Sequence, residues 1–209
     1  MANEIDAKTI KDLREKTGAG VMDCKKALAE SGGDLDKAAT WLREKGVLAA
    51  AKRADRVASE GAVGSYIHAG GKLGVLIEIN CESDFVARTE DFQKLVKELA
   101  MQVAATNPRV VRREELQPEL IEQERKIYAA QAEGKPAAVV GRIVDGKIEK
   151  FFKDVCLLEQ AWVRDPNITI NELVTQASAK MKEKVDVRRF VRFQLGEQSS
   201  NNSAPAASE

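Results

Sequence analysis

The chain has 209 residues, with 33 lysine and arginine residues against 33 aspartate and glutamate residues, and 44% of its residues are hydrophobic. This length suits one ordinary domain with a small second one, and the hydrophobic fraction is typical of a folded protein. A balanced charge provides no general attraction to nucleic acid or to an anionic membrane, so we expect neither as a direct partner.

The histidine and cysteine content excludes several kinds of site. His68 is the only histidine, so no metal site can use two imidazoles, and Cys24, Cys81 and Cys156 are too far apart for a CxxC pair. We therefore expect no metal and no cofactor. These cysteines, and a start without signal or transit composition, favour the cytoplasm. The longest apolar run, at 47–51, is too short to span a membrane.

Three short helices separated by glycine turns are predicted within residues 1–46. Asp6 can cap the first helix, and Gly18 suits the left-handed residue that ends it. Asp34 can cap the third helix, which Gly46 is expected to end. The inward stripe of the second helix is formed by Cys24, Ala27 and Leu28. Such a module buries little apolar area, so we expect it to act as a docking module tied to a larger domain.

An alanine-rich, alternately charged stretch at 47–60 predicts a solvated connector helix. After Gly61 the apolar residues alternate, which predicts a β-hairpin whose turn is at 68–71 and whose second strand places Val75, Ile77 and Ile79 on one face. This hairpin opens a core domain at 61–196. A long amphipathic helix follows it, with the apolar stripe Phe92, Leu95, Val96, Leu99 and Val103.

The second half of the core domain is less clear. Residues 137–153 fit both a helix and a hairpin with an Asp-Gly turn, and periodicity leaves the choice open. Residues 155–163 predict a buried strand, and a capping box at 169–172 opens a helix that runs to about Lys182. The last strand, at 185–195, places three arginines near a sheet edge or polar face: Arg188, Arg189 and Arg192.

These elements predict an α+β protein: a three-helix module, a connector helix, and a core with a small antiparallel sheet flanked by helices. The polar segment 197–209 predicts a disordered tail. The glycine-rich stretches lack the spacing of a phosphate-binding loop. A thiol enzyme would need Cys81 activated by His68, and the hairpin could bring these two residues to the same end of the sheet. No third group, however, is placed to orient the imidazole.

Two apolar residues are placed where water is expected. Met22 points away from the buried stripe of its helix, between Lys25 and Lys26, so it either folds back on the preceding turn or contacts another protein. Phe85 follows Ser83-Asp84 at a strand-to-helix corner, ahead of the helix that carries the core stripe. It either fills the end of its own core or anchors an interface.

Two stretches together resemble a known family. The segments LREKTGAGVMDCKKAL (13–28) and EINCESDFVAR (78–88) resemble the two signatures of bacterial elongation factor Ts, the guanine-nucleotide exchange factor of elongation factor Tu. The order of the elements agrees over nearly the whole chain. Ser83 departs from the usual threonine but keeps the hydroxyl. The length resembles the short form, some members of which dimerise, so a homodimer is a further expectation.

The resemblance implies a mechanism without catalytic residues, and the chain is not expected to be an enzyme. The N-terminal module is similar to ubiquitin-associated domains and would dock on elongation factor Tu, while the Asp84-Phe85 pair would insert near the Mg²⁺ and phosphate site so that GDP leaves. The hairpin histidine and the region 158–163 would contact the partner elsewhere. The implied partner-binding residues are Val21, Met22, Lys25, His68, Cys81, Ser83, Asp84, Phe85, Val86 and Val163. The resemblance also favours a helix at 137–153.

A competing hypothesis is a pure binding module. In that case the helix trio would be tethered to an unrelated α+β domain, and the protein would act as a ribosome- or nascent-chain-associated adaptor. Acceleration of GDP release from an elongation factor Tu type GTPase distinguishes the two hypotheses, because an adaptor would bind without accelerating release.

Overall fold

The computed structural model describes residues 6–134 and 136–197. Its α-helices are α1 (Ala7–Thr17), α2 (Val21–Glu30), α3 (Leu35–Ala51), α4 (Asp84–Ala87), α5 (Glu90–Thr106), α6 (Pro118–Ala130), α7 (Ala137–Val155) and α8 (Ile170–Met181). Its strands are β1 (Glu60–Ile67), β2 (Leu73–Cys81), β3 (Ala161–Trp162), β4 (Asp165–Thr169) and β5 (Val185–Gln194). The predicted α+β class is confirmed. None of the helices in the described part of the chain is long and apolar enough to cross a membrane.

The three N-terminal helices form as predicted around their own apolar cluster. The Asp6 side chain accepts a hydrogen bond from the Thr9 amide at 2.6 Å, and Asp34 caps α3 in the same way. Gly18 ends α1 with φ +66°, a conformation that glycine adopts without strain. The fully buried members of the cluster are Leu13, Cys24, Ala27, Leu28 and Ala38.

The predicted end of the third helix is wrong, and so is the separate connector helix at 47–60. Helix α3 continues through Gly46 to Ala51, and turns and irregular backbone lead from there to β1. Gly46 lies where α3 crosses α8, because a Cβ built on it would be 3.0 Å from the Cβ of Ala179. The glycine therefore permits close helix packing and does not end the helix. Through this contact the three-helix module packs directly on α8.

The main sheet has the antiparallel order β1-β2-β5. As predicted, Val75, Ile77 and Ile79 share the buried face of β2, and α5 covers that face with the stripe Phe92, Leu95, Val96, Leu99 and Val103. Gly64 lets the helix approach β1, since a Cβ there would lie 2.1 Å from Cγ1 of Val96. Sheet and helix together form the largest apolar cluster.

Strand β5 is confirmed and lies at the sheet edge, but its alternation changes part-way. Ile79 pairs with Val187 whereas Glu78 pairs with Arg189, so Arg188 is an extra residue in a bulge. Beyond the bulge Val191 and Phe193 face outward and are exposed, whereas Phe190 packs against the main apolar cluster. Arg188 and Arg189 are exposed, and Arg189 Nε lies 2.6 Å from Glu78 Oε2. Arg192 is half-buried and pairs with Glu197, with Nη1 2.8 Å from Oε1.

Residues 137–153 belong to helix α7, as the resemblance implied. The buried strand predicted at 155–163 is wrong, because Leu157–Glu159 form one 3₁₀ turn and β3 is only two residues long. Gln160 explains the turn: its side chain accepts from Thr106 Oγ1 at 2.7 Å and donates to the Asp154 carbonyl at 2.8 Å. Of the predicted tail, residues 198–209 lie outside the described residues.

Candidate partner-binding site

The corner between β2 and α5 presents Phe85 to solvent. Ser83 caps the one-turn helix α4, with its Oγ accepting from the Val86 amide at 3.4 Å. Val86 packs against the main apolar cluster and Ala87 is buried within it. Phe85 points the other way and is 78% exposed. Of the two alternatives for Phe85, this exposure excludes the one in which the ring fills the end of its own core. The side chains beside Phe85 fix its position. We call residues 82–86 the corner.

A carboxylate from a distant turn holds this corner. Glu183 Oε2 accepts hydrogen bonds from the amides of Glu82 at 3.1 Å and Ser83 at 3.0 Å. Its Oε1 accepts from Ser83 Oγ at 2.5 Å. Sequence reasoning missed Glu183, because a glutamate after a helix is common and a partner 100 residues away leaves no local signal.

The side chain of Glu82, in turn, accepts a hydrogen bond from the turn that carries Glu183. Its Oε1 accepts from the amide of Lys184 at 2.6 Å, and its Oε2 lies 3.2 Å from Arg56 Nη1. The Lys184 amide and then the Arg56 guanidinium hold the pKa of Glu82 below its usual range, because both stabilise the ionised carboxylate. The corner is therefore tied to the segment before β1 and to the turn before β5.

Asp84 begins helix α4 and remains partly accessible. Its Oδ2 lies 2.8 Å from Arg88 Nη2, one helical turn along the chain. A surface pair of this kind contributes little stability, so the Asp84 carboxylate can exchange this partner for another at small cost. An acidic group and an aromatic ring thus project side by side from a fixed corner.

The first turn of α2 carries a second exposed apolar group. Met22 is 74% exposed, and Val21 and Lys25 are exposed beside it, while Cys24 on the opposite face is fully buried. The prediction that Met22 faces solvent is confirmed. We call Val21, Met22 and Lys25 the α2 surface. It belongs to a different element from the corner.

Comparison with known proteins assigns the family. A sequence model described as "Elongation factor TS" matches residues 1–197. The protein named elongation factor Ts from Desulforamulus reducens is 59% identical over 196 residues, covering 93% of this chain and 90% of that relative. Its namesake from Heliobacterium modesticaldum is 53% identical over 207 residues, covering 98% and 96%. The chain belongs to the elongation factor Ts family.

Elongation factor Ts is a nucleotide exchange factor for elongation factor Tu in translation elongation, and this is the function of the chain. The resemblance inferred from the two signature stretches is confirmed. The family also implies interaction with elongation factor Tu. The adaptor hypothesis is set aside, because it required an unrelated core domain and the family match covers both parts of the chain.

One residue of the elongation factor Ts signature cannot contact a partner directly in this structure. Cys81 is fully buried, and its thiol donates to the Ser83 carbonyl with Sγ 3.1 Å from the oxygen. Burial and the nearby Glu183 charge raise the pKa of this thiol. The expectation that Cys81 touches the partner is corrected: the buried Cys81 thiol instead hydrogen-bonds to the backbone of the corner.

The hairpin also separates Cys81 from His68. Cys81 pairs with Glu60 at one end of β2, whereas His68 lies in the turn at the other end. Leu73 and Cys81, the two ends of β2, are eight residue steps apart, which corresponds to roughly 26 Å. The suggestion that the hairpin brings this cysteine and histidine together is therefore wrong.

His68 and Val163 lie on two further turns. The Nδ1 atom of exposed His68 is 2.9 Å from the Tyr66 hydroxyl. Val163 is exposed in the turn between β3 and β4, and its amide donates to Oε1 of the fully buried Gln102 at 2.9 Å. Gln102 also donates to the Ala161 carbonyl at 3.1 Å, so this glutamine fixes the turn. Sequence reasoning missed it because it lies within an apolar helix face.

Proposed function

We propose that the corner is the wedge through which this exchange factor expels GDP, by inserting Asp84 and Phe85 near the Mg²⁺ and phosphate site of elongation factor Tu. The observation that carries the proposal is the exposure of Phe85 on a corner that is tied to the turn before β5 and to the segment before β1. An exposed aromatic ring in a rigid setting is typical of an interface anchor, since little conformational freedom is lost when a partner covers it.

Thermodynamic linkage explains how insertion accelerates exchange without covalent chemistry. Burial of a phenylalanine side chain contributes roughly 1.5 to 3 kcal/mol. If the pocket for Phe85 opens only when GDP leaves, this energy favours the nucleotide-free complex and weakens GDP binding by about tenfold to a hundredfold. The chain itself then needs no catalytic residue, metal or cofactor. In this proposal the protein is not an enzyme and acts in the cytoplasm, without direct contact to nucleic acid or membrane.

The α2 surface has a different role in the proposal. Val21, Met22 and Lys25 dock the N-terminal module on the GTPase domain, which holds the complex together whether or not GDP is bound. Truncation of Met22 should therefore weaken the complex, mostly through faster dissociation. His68 and Val163 provide smaller contacts on separate turns. Docking and insertion thus depend on different elements and can be tested separately.

The test measures release of fluorescent GDP from elongation factor Tu at increasing concentrations of the factor. Phe85→Ala should keep the fold but lower the plateau rate by at least about tenfold. Met22→Ala should raise the concentration that gives half the plateau rate and leave the plateau itself unchanged. Ile127→Ala is the matched control, because it removes an exposed apolar side chain from α6. Full activity of Phe85→Ala would refute the wedge.

The proposal extends to a homodimer formed through the outer face of the main sheet. Leu76 lies opposite Val191, and Gly74 lies between Ile67 and Phe193, so the apolar side chains on this face are neighbours. The exposed members are Val63, Ile67, Leu76, Val191 and Phe193. Two copies related by a two-fold axis would cover each other's patch. Light scattering should report a dimer for the wild type and a monomer for Phe193→Glu; a monomeric wild type would contradict the dimer.

A further inference from the structure

We infer that Glu183, in the turn between α8 and β5, is the positioning residue of the corner: through Ser83 it holds α4 in the conformation that presents Phe85. The inference rests on the proposed wedge function of Phe85. It assigns a role to a residue that lies outside both signature stretches and 98 positions after Phe85 in the printed sequence.

The geometry gives Glu183 control over the cap of α4. Ser83 has one hydroxyl proton, and the 2.5 Å contact to Glu183 Oε1 directs that proton to the carboxylate. A lone pair of Ser83 Oγ is then free to accept from the Val86 amide. A four-residue helix is too short to be stable alone, so its conformation depends on this cap. Glu183 thus contacts Ser83, and Ser83 contacts Val86. Phe85, whose ring is exposed, lies between Ser83 and Val86.

The same carboxylate satisfies the backbone that leads into the corner. The amides of Glu82 and Ser83 both donate to Glu183 Oε2, and the structure gives them no other acceptor among the described residues. Unpaired amides in a partly buried position would favour a different loop conformation. Removal of the Glu183 side chain therefore affects two backbone groups and the cap together.

Glu183 itself is held in place. Its carbonyl accepts from Ser178 Oγ at 2.5 Å, and Ser178 is buried on α8. The following residue, Lys184, donates its amide to Glu82. The two loops thus exchange hydrogen bonds in both directions, which makes the turn a rigid support for the corner. A corner already in the inserted conformation loses less entropy on binding, which favours the nucleotide-free complex.

The experiment uses the full chain and the same GDP-release assay, with three variants and a matched control. Glu183→Ala removes all three side-chain contacts. Glu183→Gln keeps the shape, with an oxygen for the two amides and an NH₂ group for Ser83. Ser83→Ala removes the cap and the hydroxyl contact with Glu183 but keeps the two backbone hydrogen bonds. Glu115→Ala is the control, since Glu115 also accepts a backbone hydrogen bond, from Val111 at 2.9 Å, on another part of the core.

The expected result for Glu183→Ala is a plateau rate lower by about tenfold, with little change in the half-saturating concentration. Glu183→Gln should recover most of the plateau. Adding Ser83→Ala to Glu183→Ala should change little further, because loss of Glu183 already disrupts the cap that Ser83 provides. A loss of general stability would instead lower the thermal midpoint and would be reproduced by Glu115→Ala. If Glu183→Ala does not fold, Ser83→Ala must show the plateau loss.

Two outcomes would overturn the inference. One is an unchanged plateau for Glu183→Ala or for Ser83→Ala. The other is an equal loss for Glu115→Ala, which would make the effect structural. The wedge proposal is tested separately by Phe85→Ala: loss of activity there with a fully active Glu183→Ala refutes the positioning role alone, whereas a fully active Phe85→Ala refutes the wedge itself.

Discussion

The contact between Gly64 and Val96 gives a stability prediction that can be worked out from one distance. Gly64 lies on β1 under α5, and a Cβ at this position would be 2.1 Å from Cγ1 of Val96, far inside van der Waals contact. Val96 is buried, so it has little room to move away. Gly64→Ala should therefore overpack the interface between helix and sheet and destabilise the fold by about 2 to 3 kcal/mol.

The partner substitution should relieve this clash. Val96→Ala alone removes two buried methyl groups and should cost roughly 2 kcal/mol. In the double variant the methyl group added at position 64 occupies part of the vacated space. The double variant should therefore be less destabilised than the sum of the two single variants, by at least about 1 kcal/mol.

Urea unfolding followed by far-ultraviolet circular dichroism measures the free energies of all four proteins in this cycle. Positions that do not touch are additive within about 0.5 kcal/mol, so a coupling of the expected size is readily resolved. Additive effects of Gly64→Ala and Val96→Ala would refute the reasoning. They would show that the close approach of α5 to β1 is not the reason why position 64 needs a glycine.

Three further predictions concern charge, thiols and capping. The depressed pKa of Glu82 means that its contribution to stability is present above pH 4.5, the ordinary value, and is lost as the pH falls through the lower folded value. Urea midpoints of wild type and Glu82→Gln should therefore converge on acidification; a constant difference would contradict this. All three cysteines are buried, and burial raises the pKa of Cys156 to about 11, so Ellman's reagent should label them only after unfolding. Thr169→Ala should lose the capping box of α8 and about 1 kcal/mol, measured by urea unfolding; an unchanged midpoint would count against the cap.

Local signals in the sequence predict much of the fold correctly. Asp6, Asp34 and Thr169 are caps whose side chains bond to amides two or three residues away, so their partners are visible in the sequence. The buried stripes of α2 and α5 follow the helical period for the same reason. The exposures of Met22 and Phe85 could also be predicted, since each departs from the stripe next to it.

The failures have a common physical cause, which is contact between distant segments. In the sequence Gly46 indicates the end of a helix, but in the structure it lies against Ala179 of another helix. The glycine is needed there because a Cβ would come too close to Ala179. The run at 155–163 has the apolar content of a strand, yet the side chain of Gln160 bonds to Thr106 and shapes a turn. Glu183 is the example at the candidate site. Its hydrogen-bond partners are in the corner, and no residue near Glu183 in the sequence indicates them.

The most direct test of the central claim measures the coupling between this factor and GDP on elongation factor Tu. The affinity of the factor is determined for nucleotide-free and for GDP-bound elongation factor Tu, with wild type and with Phe85→Ala. Linkage requires that the ratio of the two affinities equal the factor by which the protein weakens GDP binding. We expect Phe85→Ala to reduce this ratio by about tenfold or more, mainly through weaker binding to the nucleotide-free form. An unchanged ratio would contradict the account, because it would show that the exposed ring does not distinguish the two forms.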